Sequence, residues 1–413
     1  MSTDESENKT IIDDFEILEE IGGGAFSKVH IARHIPTNIY VAAKIVNLTG
    51  LKEEEFNGIM REISVFLNVD HPSICSLYRL SVSAGKLYFF MEFASKGTLL
   101  SYVNNNKGIS EPEAQKIFVQ LYSAIRHLHI YHFLAHRDLK LENILFDCKG
   151  NIKLTDFGLA GTFYCNQMRT FVGTPGYTPP EIIIGGEYDE KCDVWSLGIC
   201  LYAMLTASLP FTTQSNNYRQ LCDEASQLTF PPNFSPMLQD LLRKMFVVKP
   251  SNRMTLIQLQ SHPWLRGLQQ ISTNILPQPI IFYRVTSIDD ISMFKRKPLK
   301  PNPKIMEECA KSGFAVAAIQ QSIEEGLVNE LSTIYFAMKC PLMEKPEIPR
   351  VTTTTPIVKV SRQRSIEQAS KTFPDRSPNP KSFKTDSFSL RKSAAKTLIT
   401  PTRKFNRVPL KKP

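Results

Sequence analysis

Apolar and polar positions alternate through the first part of the chain and then shift to three- and four-residue spacing. Phe15, Ile17 and Ile21 lead into a run of glycines, and Val29 and Ile31, then Val41, Ala42 and Ile45, flank Pro36-Thr37-Asn38. Alternation on both sides of a turn-forming triplet predicts a β-hairpin. Beyond it the period lengthens. Phe56, Ile59, Met60, Ile63, Phe66 and Leu67 mark one face of a helix, and Ala114, Ile117, Phe118, Leu121, Ala124, Ile125 and Leu128 mark a longer one. The pattern predicts an α+β chain with a small strand-rich lobe followed by a larger helical lobe.

Texture divides the 413 residues into five parts. Residues 1–14 read as a polar leader, and apolar periodicity is continuous over 15–265. Residues 266–303 form a Pro-rich linker whose cluster Ile280, Ile281, Phe282 and Tyr283 is expected to dock. Helical patterning returns over 304–340, as three short helices, and Ser, Thr, Pro, Lys and Arg dominate 341–413. Such a tail cannot bury enough apolar surface to order itself. It carries 17 Lys/Arg against 5 Asp/Glu, so the net charge of +9 is a balance of +12 on the tail and −3 on the rest. The basic character is therefore no argument for a nucleic-acid partner of the folded part. The acidic N-terminus lacks the pattern of a secretory signal. The longest apolar run, Trp195 to Phe211, is interrupted by Ser and Gly and too short for a membrane span. Eight scattered cysteines without a CxxC pair read as free thiols of cytosol or nucleus.

The run Ile21-Gly22-Gly23-Gly24-Ala25-Phe26-Ser27-Lys28-Val29 is the first chemical signal. Glycine lets a backbone approach phosphates and aim N–H groups at them. A P-loop or a Rossmann turn would open a helix, whereas here a second strand follows and a third ends at Lys44. A glycine-rich hairpin over a nucleotide fits that order better; an ordinary tight turn is the plain alternative. Glu62 lies three residues after Ile59 and four before Phe66, so it points inward with them. A carboxylate facing a core needs a partner, and Lys44 has the same need. Either the two reach solvent separately, or they pair and aim the ammonium at phosphates.

His136-Arg137-Asp138-Leu139-Lys140-Leu141-Glu142-Asn143 follows the longer helix, and Asp156-Phe157-Gly158 comes 13 positions after Asn143. Asp138, Asn143 and Asp156 form an oxygen-ligand set of the kind Mg²⁺ favours. With Val41-Ala42-Ala43-Lys44, Glu62, His71-Pro72, Glu181, Asp193-Val194-Trp195-Ser196-Leu197-Gly198 and Arg253 in one order, the chain resembles a eukaryotic Ser/Thr protein kinase from Phe15 to Leu265. The resemblance implies a bilobal kinase fold and transfer of the γ-phosphoryl group of Mg-ATP to protein substrates. It implies that Asp138 takes or orients the substrate hydroxyl proton, that Lys140 neutralises the transferred group, and that Asn143 and Asp156 hold Mg²⁺. Lys44 would hold the α- and β-phosphates. Met91 would stand as gatekeeper, Glu92 and Ala94 would offer hinge backbone to adenine, and Ile21, Val29, Ala42 and Leu145 would enclose the ring. A pseudokinase scaffold is the alternative class, but Lys44, Asp138 and Asp156 are all present.

Lys140 two residues after Asp138, and Thr174 in Gly173-Thr174-Pro175, resemble the Ser/Thr branch. Arg137 marks members controlled by activation-loop phosphorylation, since a phosphate would partner an otherwise costly charge. Thr170, four residues before Thr174, is the expected acceptor, as in AMP-activated and microtubule-affinity-regulating relatives within the calcium/calmodulin-dependent group. An upstream kinase or autophosphorylation would supply the phosphate. The chain departs from the family at Ser27 (usually Gly), Pro179 (usually Ala) and Thr98, where relatives carry a Glu that helps bind a basic substrate residue; this weakens the expected basic preference. Residues 304–340 resemble the ubiquitin-associated-like domain of these relatives, the alternative being an extra helical element on the large lobe. In the tail, Arg362-Gln363-Arg364-Ser365, Ser377-Pro378 and Thr400-Pro401 look like acceptor sites. The tail's charge suits anionic surfaces, with no specific nucleic acid and no transmembrane segment expected.

Overall fold

The computed structural model describes residues 10–23, 27–163, 168–211, 217–265 and 291–339, with 280, 282, 283, 285, 287 and 288. Six strands build the small-lobe sheet: β1 (Ile11–Ile12), β2 (Phe15–Gly23), β3 (Ser27–His34), β4 (Ile39–Asn47), β5 (Leu77–Ser83) and β6 (Lys86–Glu92). Their order is β1-β2-β3-β4-β6-β5, antiparallel throughout. The β3–β4 hairpin closes His34 onto Ile39, and Asn38 takes φ 56°, a left-handed conformation that Asn tolerates. The leader expected to run to residue 14 ends sooner, because Ile11–Ile12 pairs with β2 and Asp13 holds Arg79 at 3.1 Å. Side chains alternate across the sheet. Val41, Ala43, Tyr88 and Phe90 share the back face with Phe15 and Tyr78, while Phe89 and Met91 face the core that α1 (Glu53–Asn68) covers. Three glutamates in the first turn of α1 suit the positive end of its dipole.

The large lobe holds α2 (Leu99–Asn106), α3 (Glu111–His132), α4 (Pro180–Ile183), α5 (Lys191–Thr206), α6 (Tyr218–Ser226), α7 (Pro236–Met245) and α8 (Leu256–Gln260). Two short ribbons, β7 (Leu134–Ala135) with β10 (Gly161–Thr162) and β8 (Ile144–Phe146) with β9 (Ile152–Leu154), carry the loops between the lobes. All seven apolar positions expected on α3 are buried. The apolar run at Trp195 forms most of α5, which is buried on every side as a central core helix. Among the described residues no helix is long and apolar enough to cross a membrane. Arg253 meets Glu181 through two bonds of 2.6 and 2.8 Å, so Pro179 leaves this buried pair intact.

The described part of the linker docks: Ile280 enters the main core with Ile288 and Phe294, and Phe282 and Tyr283 pack against it, while Ile281 lies outside the described residues. Its backbone also lies on the last turns of α1, with Tyr283 N donating to Ser64 Oγ at 3.1 Å and Lys297 N to Leu67 O at 2.8 Å. Three helices follow, α9 (Pro303–Lys311), α10 (Val316–Glu324) and α11 (Glu330–Met338). Their Met306, Cys309, Ile319, Ile323, Ile334 and Tyr335 are buried, as is Phe336, which the periodicity does not single out. These residues share one apolar cluster with the back face of the small-lobe sheet, α11 lying on β5. Packing on the large lobe, the alternative placement, is therefore not what forms: the aromatic back face of the sheet takes the helices instead. Residues 340–413 lie outside the described residues.

Candidate active site

Lys44 leaves β4 on the face that α1 covers. Its Nζ contacts both oxygens of Glu62 at 2.7 Å, and both side chains are largely buried. Burial works against the charge on Lys44, but the carboxylates of Glu62 and Asp156 outweigh it and hold its pKa above the ordinary value. Burial and Asp156 push Glu62 upward against the pull of Lys44. The ammonium thus pairs with Glu62 within the field of Asp156 and fixes α1 with Glu62 inward. Aromatic contacts hold the same position. Phe66 of α1 meets Phe157 edge-on at 5.4 Å, and Phe157 meets His136 at 5.2 Å, a buried stack running from helix to catalytic loop. Arg61, which belongs to no motif, donates Nε to Gly158 O at 2.9 Å and ties α1 to the Asp-Phe-Gly turn.

Asp193 anchors the catalytic loop. Its carboxylate accepts the backbone N–H groups of His136 (2.7 Å) and Arg137 (2.8 Å) and lies 2.8 Å from His129 Nε2. Burial alone would raise its pKa, but the bonds from His129 and from Arg137 outweigh that and lower it. Arg137 (φ 68°) and Asp156 (φ 65°) are held left-handed, a conformation non-glycine residues keep only where the surroundings enforce it. Asp138 Oδ2 accepts Lys140 Nζ at 2.8 Å and Asn143 Nδ2 at 3.4 Å, while Oδ1 accepts the Thr174 hydroxyl at 2.6 Å. Lys140 Nζ also donates to Thr174 Oγ1 at 2.9 Å. A carboxylate oxygen accepts about two hydrogen bonds, so Oδ1 keeps one position for a hydroxyl presented from the cleft.

Between the lobes lies a cavity of ≈ 550 Å³, within the range of small-molecule sites. Ile21, Val29, Ala42, Met91, Ala94 and Leu145 line one part; Lys44, Asn143 and Asp156 line another. Gly22, Gly23 and Ser27 border it too, and a Cβ on Gly23 would fall 2.8 Å from Ser27 O, so the turn requires glycine there. Gly24, Ala25 and Phe26 lie outside the described residues. Lys28 departs from its expected place: its Nζ pairs with the exposed Glu20 at 2.8 Å, because strand alternation turns it away from Ser27 and Val29. The Glu92 carboxylate pairs with Lys153 at 2.6 Å, which commits that side chain. Cys75, not anticipated, also lines the cavity, its thiol donating to Glu92 O at 3.5 Å. The Thr98 hydroxyl is spent on capping α2, accepting Ser101 N at 3.1 Å. Thr170 is exposed, and its carbonyl meets the Tyr188 hydroxyl. Asn143 commits its N–H₂ to Asp138 O at 3.0 Å, which leaves its carbonyl oxygen uncommitted at the cavity that Asp156 also lines. Hard oxygen donors next to an ammonium fit a magnesium nucleotide.

A family model described as protein kinase domain matches residues 15–265. The chain is 30% identical over 340 residues to "SNF1-related protein kinase catalytic subunit alpha KIN12" of Arabidopsis thaliana, covering 81% of this chain and 65% of that protein. It is 38% identical over 257 residues to "Serine/threonine-protein kinase SIK2" of Gallus gallus, covering 61% of this chain and 32% of the relative. With "Probable serine/threonine-protein kinase MARK-A" of Dictyostelium discoideum it shares 36% over 266 residues, 63% of this chain and 25% of the relative. The chain thus spans a quarter to just under two thirds of these relatives' lengths.

Proposed function

Since the chain belongs to the protein kinase family, we propose that it transfers the γ-phosphoryl group of ATP, with Mg²⁺, to Ser and Thr hydroxyls of protein substrates. The arrangement that carries this reading is Asp138 with Lys140 and Thr174, next to a cavity bordered by Lys44, Asn143 and Asp156. Asp138 Oδ1 orients the attacking hydroxyl and takes its proton as the new P–O bond forms and the bond to the β-phosphate oxygen breaks. Lys140, shared between Asp138 and Thr174, brings positive charge to the transferred group. Asn143 and Asp156 would hold Mg²⁺, which supplies charge neutralisation for the phosphate oxygens. Lys44, fixed by Glu62, serves the α- and β-phosphates, and the apolar end of the cavity takes adenine against the hinge backbone of Glu92 and Ala94. Positioning and electrostatics suffice for this chemistry.

Phosphorylation of Thr170, by an upstream kinase or by the chain itself, activates it. The region 304–340 acts as a ubiquitin-associated-like module, a reading supported by the plant relative, whose match over 340 residues outruns the catalytic domain. Among the described residues Cys192, Cys200 and Cys309 are free thiols, which fits cytosol or nucleus. The basic tail contacts anionic surfaces. The test is a positional peptide library with radiolabelled ATP and phosphoamino-acid analysis. Label on Ser or Thr is expected; label confined to Tyr, or ATP hydrolysis without transfer, would contradict the reading.

A further inference from the structure

Tyr188 lies just before α5 and is 2% exposed. Its hydroxyl accepts a bond from Arg137 Nη1 at 3.0 Å and donates one to the carbonyl oxygen of Thr170 at 2.8 Å. A tyrosine oxygen can do both only while it keeps its proton. Burial raises the Tyr188 pKa against the pull of Arg137, so the proton stays. The two main chains are also joined: Met168 N donates to Tyr188 O and Tyr188 N to Met168 O, each at 2.9 Å. Arg169 and Glu187 add an ion pair on the outside of this bridge.

Arg137 has five N–H groups. Nε donates to Leu159 O at 2.5 Å, Nη2 to Ala160 O at 3.2 Å and Nη1 to Tyr188, which leaves one N–H on each terminal nitrogen. Gly161 makes room for this guanidinium, since a Cβ there would fall 2.7 Å from its Cζ. Among the described residues no carboxylate pairs with the Arg137 side chain. Burial lowers the pKa of Arg61, and the nearby charge of Arg137 adds to it. The locus is a half-buried cationic centre without an anion, and one oxygen atom holds both it and the backbone of the exposed Thr170.

We propose that Tyr188 is the positioning residue of activation: its hydroxyl holds the Thr170 backbone against Arg137, so that a phosphate on Thr170 is received by the two remaining N–H groups of that guanidinium. The inference rests on Thr170 being the activating acceptor, as proposed above. Removing only the hydroxyl, in Tyr188→Phe, keeps the ring and both bonds to Met168.

The experiment uses the full chain, with Thr170 phosphorylation verified by mass spectrometry, as wild type, Tyr188→Phe and Thr170→Ala. The gain in kcat on phosphorylation should be about tenfold smaller in Tyr188→Phe than in wild type, with KM for ATP unchanged and unphosphorylated activity within about twofold, as loss of one charge-assisted contact requires. In ³¹P NMR the phosphate of wild type should titrate below its ordinary second pKa of about 6, and that of Tyr188→Phe should return toward it. An equal gain and equal titration in both proteins would overturn the role of Tyr188. Thr170→Ala as active as the phosphorylated wild type would overturn the Thr170 reading instead. Should Tyr188→Phe melt several degrees lower, the wild-type titration decides alone, and an ordinary phosphate pKa there overturns the inference.

Discussion

The hydroxyl of Thr174 donates to Asp138 Oδ1 at 2.6 Å while it accepts Lys140 Nζ at 2.9 Å, so the activation segment contributes directly to the hydrogen-bond shell of the catalytic carboxylate. Thr174→Val keeps the shape but removes the bridge, leaving Asp138 Oδ1 free to turn. Steady-state kinetics should show kcat reduced by about 10²-fold, the lower end of what a positioned proton acceptor contributes. Thr174→Ser restores the hydroxyl and should recover most of the rate. Equal kcat for Val and Thr would show the bridge to be ornamental.

Glu62→Gln leaves Lys44 without its buried counter-charge while Asp156 remains nearby. Breaking a buried pair by removing one partner costs about 3–5 kcal/mol, shared here between folding and the aim of the ammonium. KM for ATP should rise at least about tenfold, and the melting temperature should fall. An unaltered KM would mean that Lys44 is held by something other than Glu62.

Three buried histidines make the fold acid-sensitive. Burial lowers His34 and His71 to about 4 and His127 to about 3, assisted by Arg79 at His34 and by His71 and His132 at His127. In the unfolded chain each takes up its proton near the ordinary 6.5, before the folded state can. Their contribution is therefore full above pH 6.5 and is lost as pH falls, down to about 4 for His34 and His71 and about 3 for His127, by up to about 1.4 kcal/mol per pH unit for each group. Urea midpoints at pH 7, 6 and 5 should decline in turn, and His127→Gln should flatten the decline. A midpoint constant from pH 7 to 5 would contradict this.

The helical module is held by Arg296, whose guanidinium lies 3.9 Å over the Phe336 ring and donates to Leu77 O, while its own N–H reaches Gly326 O at 2.7 Å. Gly326 is left-handed (φ 68°), and a Cβ there would collide with Arg296 O. Gly326→Ala should cost about 1–3 kcal/mol and speed amide exchange across 303–339. Unchanged exchange would show that the module does not depend on this contact.

Local pattern was enough to read α1, α3, the β3–β4 hairpin and the catalytic motifs, because each rests on residues a few positions apart. The Lys44–Glu62 pair was legible too, since an inward carboxylate and a buried lysine each required a partner. The pattern of the three helices does not by itself fix their seat, though a sign of it stands in Leu87-Tyr88-Phe89-Phe90-Met91: a strand apolar at every position is covered on both faces. Arg61, Cys75 and Tyr188 carry no motif. Their roles depend on Gly158, Glu92 and Thr170, which only folding brings beside them. The direction of Lys28 is not legible, because a glycine-loop motif does not say which side chains of the second strand face the cavity.

The central claim is that Asp138 activates a protein hydroxyl toward ATP, and Asp138→Asn tests it most directly. Purified wild type and variant, both melting at the same temperature, are compared for label transfer from radiolabelled ATP to a Ser/Thr peptide. A fall in kcat of about 10²–10⁴-fold with ATP still bound is the expected result, and equal transfer by the two proteins would contradict the account.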